Sequence, residues 1–486
     1  MFDSEKLIKL LAYDEFNPLL FNTGLFLILF VVFVGIVTIL RKHKILKLIS
    51  IILFSLYFYY KSSAEYCFIL LGVCVSDYVL GLLMMKSKHI WQKKIIVTLN
   101  VVMNVGMLFY FKYFNLLYET IANFAGKPLD PLDIVLPAGI SFFTFRSISY
   151  IVDIYRGEIE ACRDFLAYTF YLTFFPPLLA GPVVRAKDML PQVEANPEVT
   201  APMVSEGLFL IMCGLIKKVI VADYLSQNFV DRVFDNPALY SGFENLMGAY
   251  GFTIQLYCDF SGYSDMAIGL ALLMGYSFFD NFKAPFKAQN PTEFWHRWHI
   301  SLSQWFRDYV YIPLGGSRLG RMKYVRNLLI VWLLTGLWHG TSWNFLLWGF
   351  YYAVILLIES LFLKHFLRLL PKFMCWCYTF FLVNLGWVLF ANTDFSDLLY
   401  QLSHMFFLAS APLFSSDSLY YLQTYGSFFL LVLLIGVPYG KLFITQIYRR
   451  FRYHELIDVI LFSLLLILCF SYLIANGYQT FLYTQF

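Results

Sequence analysis

The 486-residue chain is 59% hydrophobic and only 14% charged, with a mean hydropathy of +0.65. Such values belong to polytopic membrane proteins and leave no room for a sizeable soluble domain. The formal net charge is only +4, and no basic run is interleaved with aromatics in a soluble segment, which excludes nucleic-acid binding.

Residues 1–18 carry Asp3, Glu5, Asp14 and Glu15 against Lys6 and Lys9, so a basic leader is missing. The apolar run from Pro18 to Leu40 is therefore expected to be a retained first span. Further runs of spanning or near-spanning length lie near 45–60, 65–85, 95–118, 134–152, 164–180, 204–222, 245–275, 327–363, 373–391, 426–444 and 457–476. The fold predicted is an all-α integral membrane protein, one polytopic domain over 1–486, with about ten to twelve crossings plus re-entrant segments. Pro137-Ala138-Gly139, Pro176-Pro177 and Gly181-Pro182 break these runs. Broken backbone at membrane depth is tolerated only where protein or a water-filled cavity satisfies it, so the breaks predict an internal cavity. Aromatics reach 20% of the chain, more than interfacial belts absorb, and the surplus is expected on packed or cavity surfaces.

Orientation is read from Lys and Arg. Arg41, Lys42 and Lys44 follow the first span, which places the N-terminus outside the cytoplasm. Lys86, Lys88, Lys93 and Lys94 fall on the cytoplasmic side two spans later, as do Arg318, Arg321, Lys323 and Arg326, then Lys364, Arg368 and Lys372. Arg449, Arg450 and Arg452 precede the last span and leave an uncharged tail outside. The 8 cysteines, mostly within apolar runs and without a CxxC, read as small buried apolar residues. Asp259 and Asp265, acids within a span, are expected to cap or to pair with Arg, with donor binding as the alternative.

A polar island runs from Phe294 to Tyr309. His296 and His299, three apart, would face the same way on one helix, but no third ligand stands at a persuasive spacing, so no metal site is expected. The next apolar stretch, Asn327 to Leu363, is far longer than the roughly 20 residues of one crossing. It must break, and Gly340-Thr341-Ser342 is the obvious place. His339, at the end of about 18 Å of helix, is then expected well inside the hydrocarbon layer. An ionisable group there marks a functional site. Desolvation favours neutral imidazole, the form that acts as a general base. Further on, Phe395, Leu398, Leu399, Leu402, Met405 and Phe406 share one helical face. Asp394, Asp397, Gln401 and His404 lie mostly elsewhere, the pattern of a helix in the outer interface. Lipase-type GxSxG, Walker A and HExxH motifs are missing.

Phe294–Arg318, FWHRWHISLSQWFRDYVYIPLGGSR, and Leu337–Ala353, LWHGTSWNFLLWGFYYA, resemble the signature of the membrane-bound O-acyltransferase family. The likeness is greatest to the bacterial branch that acetylates alginate or peptidoglycan or adds D-alanine to lipoteichoic acid. LPAGISFFTFRSISYIVDIYRG (136–157), FFPPLLAGPVVRA (174–186), KKVIVAD (217–223) and QLYCDFSGYSDMAIGLA (255–271) match as well. The resemblance covers most of residues 130–390. It implies a ring of helices around a central funnel or tunnel, with His339 as catalytic histidine and His299 as second motif histidine. Tyr257, Asp259, Trp305, Trp338 and Asn344 are expected along the substrate path. His296 stands where many relatives are expected to carry Arg.

The activity so implied is transfer of acetyl from cytoplasmic acetyl-CoA, with no bound cofactor, to an extracytoplasmic hydroxyl. The acceptor expected is exopolysaccharide or peptidoglycan, reached through an acyltransferase- or esterase-like partner outside a bacterial cytoplasmic membrane. D-Alanyl transfer from a carrier-protein thioester to teichoic acid is the enzymatic alternative, and a glycan transporter or flippase the non-enzymatic one. Lys217, Lys218, Arg318, Arg321, Lys323 and Arg326 could attract the donor's phosphates, though positive-inside topology explains them more simply.

Overall fold

The computed structural model describes residues 4–124, 126, 132–408, 412–436, 454–476 and 480–482. Asp3, Arg449, Arg450, Arg452 and most of the C-terminal tail lie outside the described residues. Among the described residues the fold is helical without strands. Five stretches among the described residues are long and apolar enough to cross a membrane: Gly24–Lys42, Lys44–Lys86, Ile90–Ala122, Trp343–Leu367 and Lys372–Ala391. The protein is a multi-pass, all-α membrane protein.

Contacts divide the chain into two compact units, Met1–Ile211 with Tyr263–Phe279, and Met212–Gly262 with Asp280–Leu482. The first contains α1 (Ser4–Leu11), α2 (Gly24–Ile39), α3 (Lys44–Ser63), α4 (Cys67–Lys86), α5 (Ile90–Leu108), α6 (Phe114–Phe124), α7 (Ile140–Arg156), α8 (Phe165–Thr173), α9 (Ala186–Ala195) and most of α10 (Ala201–Leu215). Phe175 sits at the middle of a phenylalanine cluster, with Phe54 at 5.1 Å and Phe58 at 5.5 Å. Aromatic edges and faces fill such a site without leaving polar atoms to satisfy.

Helix α7 is buried on nearly every side, so its polar residues must find partners in protein. Asp77 Oδ1 accepts from Asn100 Nδ2 and Ser147 Oγ, both at 2.8 Å, and Oδ2 accepts from the Tyr168 hydroxyl at 2.7 Å. This node ties α4, α5, α7 and α8 together. Two of the expected breaks pack on each other. Gly139 takes φ +70°, and a Cβ there would lie 2.4 Å from the Leu178 carbonyl oxygen. Residues 174–186, which carry the Pro and Gly breaks, are all buried. The Arg146 guanidinium donates to the carbonyls of Tyr171 (3.2 Å) and Pro177 (3.1 Å). In this unit it is protein, through Arg146, that supplies hydrogen bonds to the broken backbone.

The second unit contains α11 (Asp231–Asp235), most of α12 (Gly242–Leu272), α13 (Pro291–Arg297), α14 (Ile300–Phe306), α15 (Arg321–His339), α16 (Trp343–Ile358), α17 (Lys364–Leu367), α18 (Lys372–Ala391), α19 (Phe395–Met405), α20 (Ser418–Gly436) and α21 (His454–Asn476). Asp394 caps α19, accepting from the amide of Ser396 at 2.7 Å. The apolar stripe of α19 divides against expectation. Leu398 and Met405 are buried beside Gln401 and His404, whereas Phe395, Leu399 and Phe406 are exposed. Asn392 Nδ2 donates to Gln401 Oε1 at 2.7 Å, which holds Gln401 inward. Outward apolar side chains suit a helix whose surroundings are lipid.

Gly139→Ala is expected to destabilise the protein by at least about 1–3 kcal/mol from its left-handed backbone alone, with the Leu178 contact adding to that. Thermal unfolding of the purified protein in detergent checks this, and an unchanged midpoint would contradict the packing described.

Candidate active site

The predicted break falls where expected. Helix α15 ends at His339, Gly340 follows in extended backbone, and α16 starts at Trp343. The two helices cross through glycines: a Cβ on Gly336 would lie 2.4 Å from the Phe345 carbonyl oxygen, and one on Gly349 2.4 Å from that of Trp332. Small residues allow backbones this close, the usual device where helices associate without water. Asn344, in the first turn of α16, donates through Nδ2 to the Phe390 carbonyl at 2.6 Å, which fixes the hairpin tip to the end of α18.

His339 thereby enters a wall of rings. Its imidazole lies 4.7 Å from Trp338, 5.0 Å from Trp348, 5.1 Å from Phe390 and 6.3 Å from Phe345, centroid to centroid. It is 3% exposed. Of the four surrounding rings only that of Trp338 is half-buried; the other three are buried.

His299 does not share a helix with His296, contrary to the sequence expectation. Helix α13 stops at Arg297, Trp298 is extended, and His299 takes a left-handed conformation, φ 42° and ψ 57°, before α14 begins. Trp298 makes the corner by burying between Phe294 (5.5 Å) and Trp387 (4.9 Å). His296 is left exposed while His299 is buried. Phe260 meets the His299 ring edge-on at 4.7 Å, and Trp338 lies 6.2 Å away. Trp338 thus lies beside both histidines. Burial pushes the His299 imidazole down to about 3, so its neutral form prevails at physiological pH.

His299 Nδ1 lies 3.2 Å from the side-chain oxygen of Asn281, which also accepts from the amide and hydroxyl of Ser301 at 3.2 and 2.8 Å. Asn281 escaped the sequence reading. It precedes His299 by 18 residues, outside any motif, and polar residues in irregular segments are too common to stand out.

The remaining expected residues have other neighbours. Tyr257 packs on Phe286 (5.1 Å) and Trp298 (6.0 Å), with the Lys217 ammonium 5.7 Å from its ring centroid. Trp305 packs within its own segment, against Phe306 and Tyr309. Asp259 is paired, but with Lys218 at 2.7 Å instead of an arginine. Lys218 also contacts Asp223 (2.8 Å) and the Thr480 carbonyl (2.8 Å), while the Leu482 amide donates to Asp259 at 3.0 Å. Lys218 is thus an interior partner of two carboxylates, not a surface mark of topology. Among the described residues, no group of three or more His, Cys, Asp or Glu is placed to hold a metal ion.

The profile of the membrane-bound O-acyltransferase family matches residues 161–400, which include both histidines. The chain is 40% identical to a protein of Pseudomonas aeruginosa named probable alginate O-acetylase, over 76% of this chain and 72% of that one. It is 33% identical to the peptidoglycan O-acetyltransferase of Helicobacter pylori, over 80% of each. To the teichoic acid D-alanyltransferase of Bacillus subtilis it is 28% identical, over 48% of this chain and 61% of that one.

Gly336→Val and Gly349→Val are each expected to lower stability by about 1–3 kcal/mol or more, because they force α15 and α16 apart. Gly72→Ala, within α4 at a position with nothing within 4 Å, should leave the thermal midpoint unchanged or raise it slightly, as Gly→Ala inside a helix does. Equal behaviour of all three would argue against the glycine crossing.

Proposed function

Because the chain belongs to the membrane-bound O-acyltransferase family and is an acyl-transferring enzyme, we propose that it carries acetyl from cytoplasmic acetyl-CoA to an extracytoplasmic hydroxyl. The acceptor is an exopolysaccharide or peptidoglycan, reached through a separate acyltransferase- or esterase-like protein outside the bacterial cytoplasmic membrane. The N-terminus lies on that outer side. The observation that carries the reading is the gathering of His299 and His339 about Trp338. Identity to the acetylating relatives extends over about three quarters of the chain, against about half for the D-alanyl relative, which favours acetyl over D-alanyl.

In the proposed reaction neutral His339 takes the proton of the attacking alcohol as its oxygen bonds to the thioester carbonyl carbon. The C–S bond then breaks, the proton passes to the departing thiolate, and an ester and free coenzyme A result. Positioned base catalysis of this kind contributes about 10²–10⁴-fold. His299 assists, and Asn344 keeps the His339 hairpin in place. In its present packing the His339 ring is closed in by aromatic neighbours, so the reactants gain access by displacement of one of them. Trp338 is the half-buried one among them.

Labelled acetyl transfer from acetyl-CoA in proteoliposomes tests this reading. His339→Ala should reduce transfer to background, and His299→Ala should lower it by at least about 10²-fold, with both variants still inserted in the membrane. Near-normal transfer by His339→Ala, or glycan movement with no covalent label, would refute the mechanism.

A further inference from the structure

We infer that Asn281 is a positioning residue for acyl transfer: its side-chain oxygen fixes His299 as the tautomer protonated on Nδ1, so that Nε2 carries the lone pair. The inference rests on the catalytic reading of His299 given above. Asn281 is 1% exposed and holds the chain that follows the histidine. Its backbone carbonyl accepts from the Ile300 amide at 3.0 Å, and two residues on the Lys283 amide donates to the Arg297 carbonyl at 2.9 Å. Its side-chain oxygen takes the amide and hydroxyl of Ser301. These bonds brace the left-handed backbone of His299, a conformation that costs a residue with a Cβ roughly 1–2 kcal/mol.

The protonation pattern follows from donor and acceptor chemistry. A backbone N–H can only donate, so the Asn281 atom facing the Ser301 amide must be the carbonyl oxygen, which settles the amide's orientation. His299 Nδ1 lies 3.2 Å from that same oxygen. Two acceptors do not bond, so Nδ1 carries the hydrogen and the neutral ring is left with its lone pair on Nε2. The Ser301 hydroxyl sits nearer to Asn281, at 2.8 Å, than to Nδ1, at 3.4 Å, and is thereby engaged as a donor to the amide oxygen. Phe260 packs against the imidazole edge-on at 4.7 Å.

The choice of an amide is itself informative. A carboxylate behind an imidazole would orient it and also stabilise the imidazolium. Asn281 orients the ring without placing a charge beside it, so the neutral resting form of this assisting imidazole is not biased toward the cation. Asn281 acts through His299 and not on the substrate.

The test uses full-length protein in nanodiscs with ¹⁵N-labelled histidine, the His299 signals being those lost in His299→Gln. Wild type should show Nδ1–H. Ser301→Ala, which removes one donor from the amide but not the Nδ1 bond, and Asn281→Asp, which keeps an acceptor, should both retain that tautomer. Asn281→Leu should lose it. An Nε2–H signal in wild type, or an unchanged tautomer in Asn281→Leu, overturns the inference. In proteoliposomes supplied with acetyl-CoA, Asn281→Leu should lower kcat on the order of 10- to 100-fold, as loss of outer-shell groups behind metal-bound imidazoles does, with the donor KM unchanged. Asn281→Asp should recover part of the rate. Wild-type kcat in Asn281→Leu, or a loss confined to KM, would also count against it. Full activity of His299→Gln would instead remove the catalytic role of His299, an outcome distinct from the tautomer result.

Discussion

Backbone that is neither helix nor sheet has no water to bond in a lipid-embedded protein, and that constraint shapes both units. Three of the breaks among the described residues have a polar side chain that satisfies or braces the chain beside them. Arg146 serves the carbonyls after α8, Asn344 joins the tip of the α15–α16 hairpin to α18, and Asn281 braces the corner at His299. Glycines at 139, 336 and 349 let backbone come closer than any Cβ would permit. The breaks are therefore supported features of the architecture.

The same constraint explains how a membrane helix can end in a reactive group. A helix of full spanning length would carry its side chains past one another without presenting an end. Stopping α15 at His339 and restarting at Trp343 puts the imidazole at a terminus, where rings from α16 and α18 surround it. Neutral imidazole is the form able to accept a proton from an alcohol. His299 arrives from a separate corner, and the indole of Trp338 stands between the two.

Buried charge is handled differently from buried imidazole. Lys218 takes two carboxylates and a backbone carbonyl, and the amide of Leu482 bonds to one of those carboxylates. An ammonium out of water is stable only with such compensation. This is why a lysine in the run KKVIVAD, which reads by composition as a topology signal, serves inside the protein. Its neighbour Lys217 has another environment, over the ring of Tyr257.

The sequence by itself determined the helical membrane class, the break after His339, the presence of a helix within 394–408 and the family, because length, hydropathy and contiguous motifs are local properties of the chain. Tertiary structure alone decided the rest. Trp298 ends α13 because it finds a pocket against Trp387, 89 residues away in the chain, and that separates His299 from His296. Gln401 is held inward by Asn392. Asp259 meets Lys218 and the C-terminal backbone instead of an arginine, and Asn281 reaches His299 from outside every motif. In each case the partner is distant or unremarkable in sequence, and hydrogen bonding and packing choose it only once the helices are assembled.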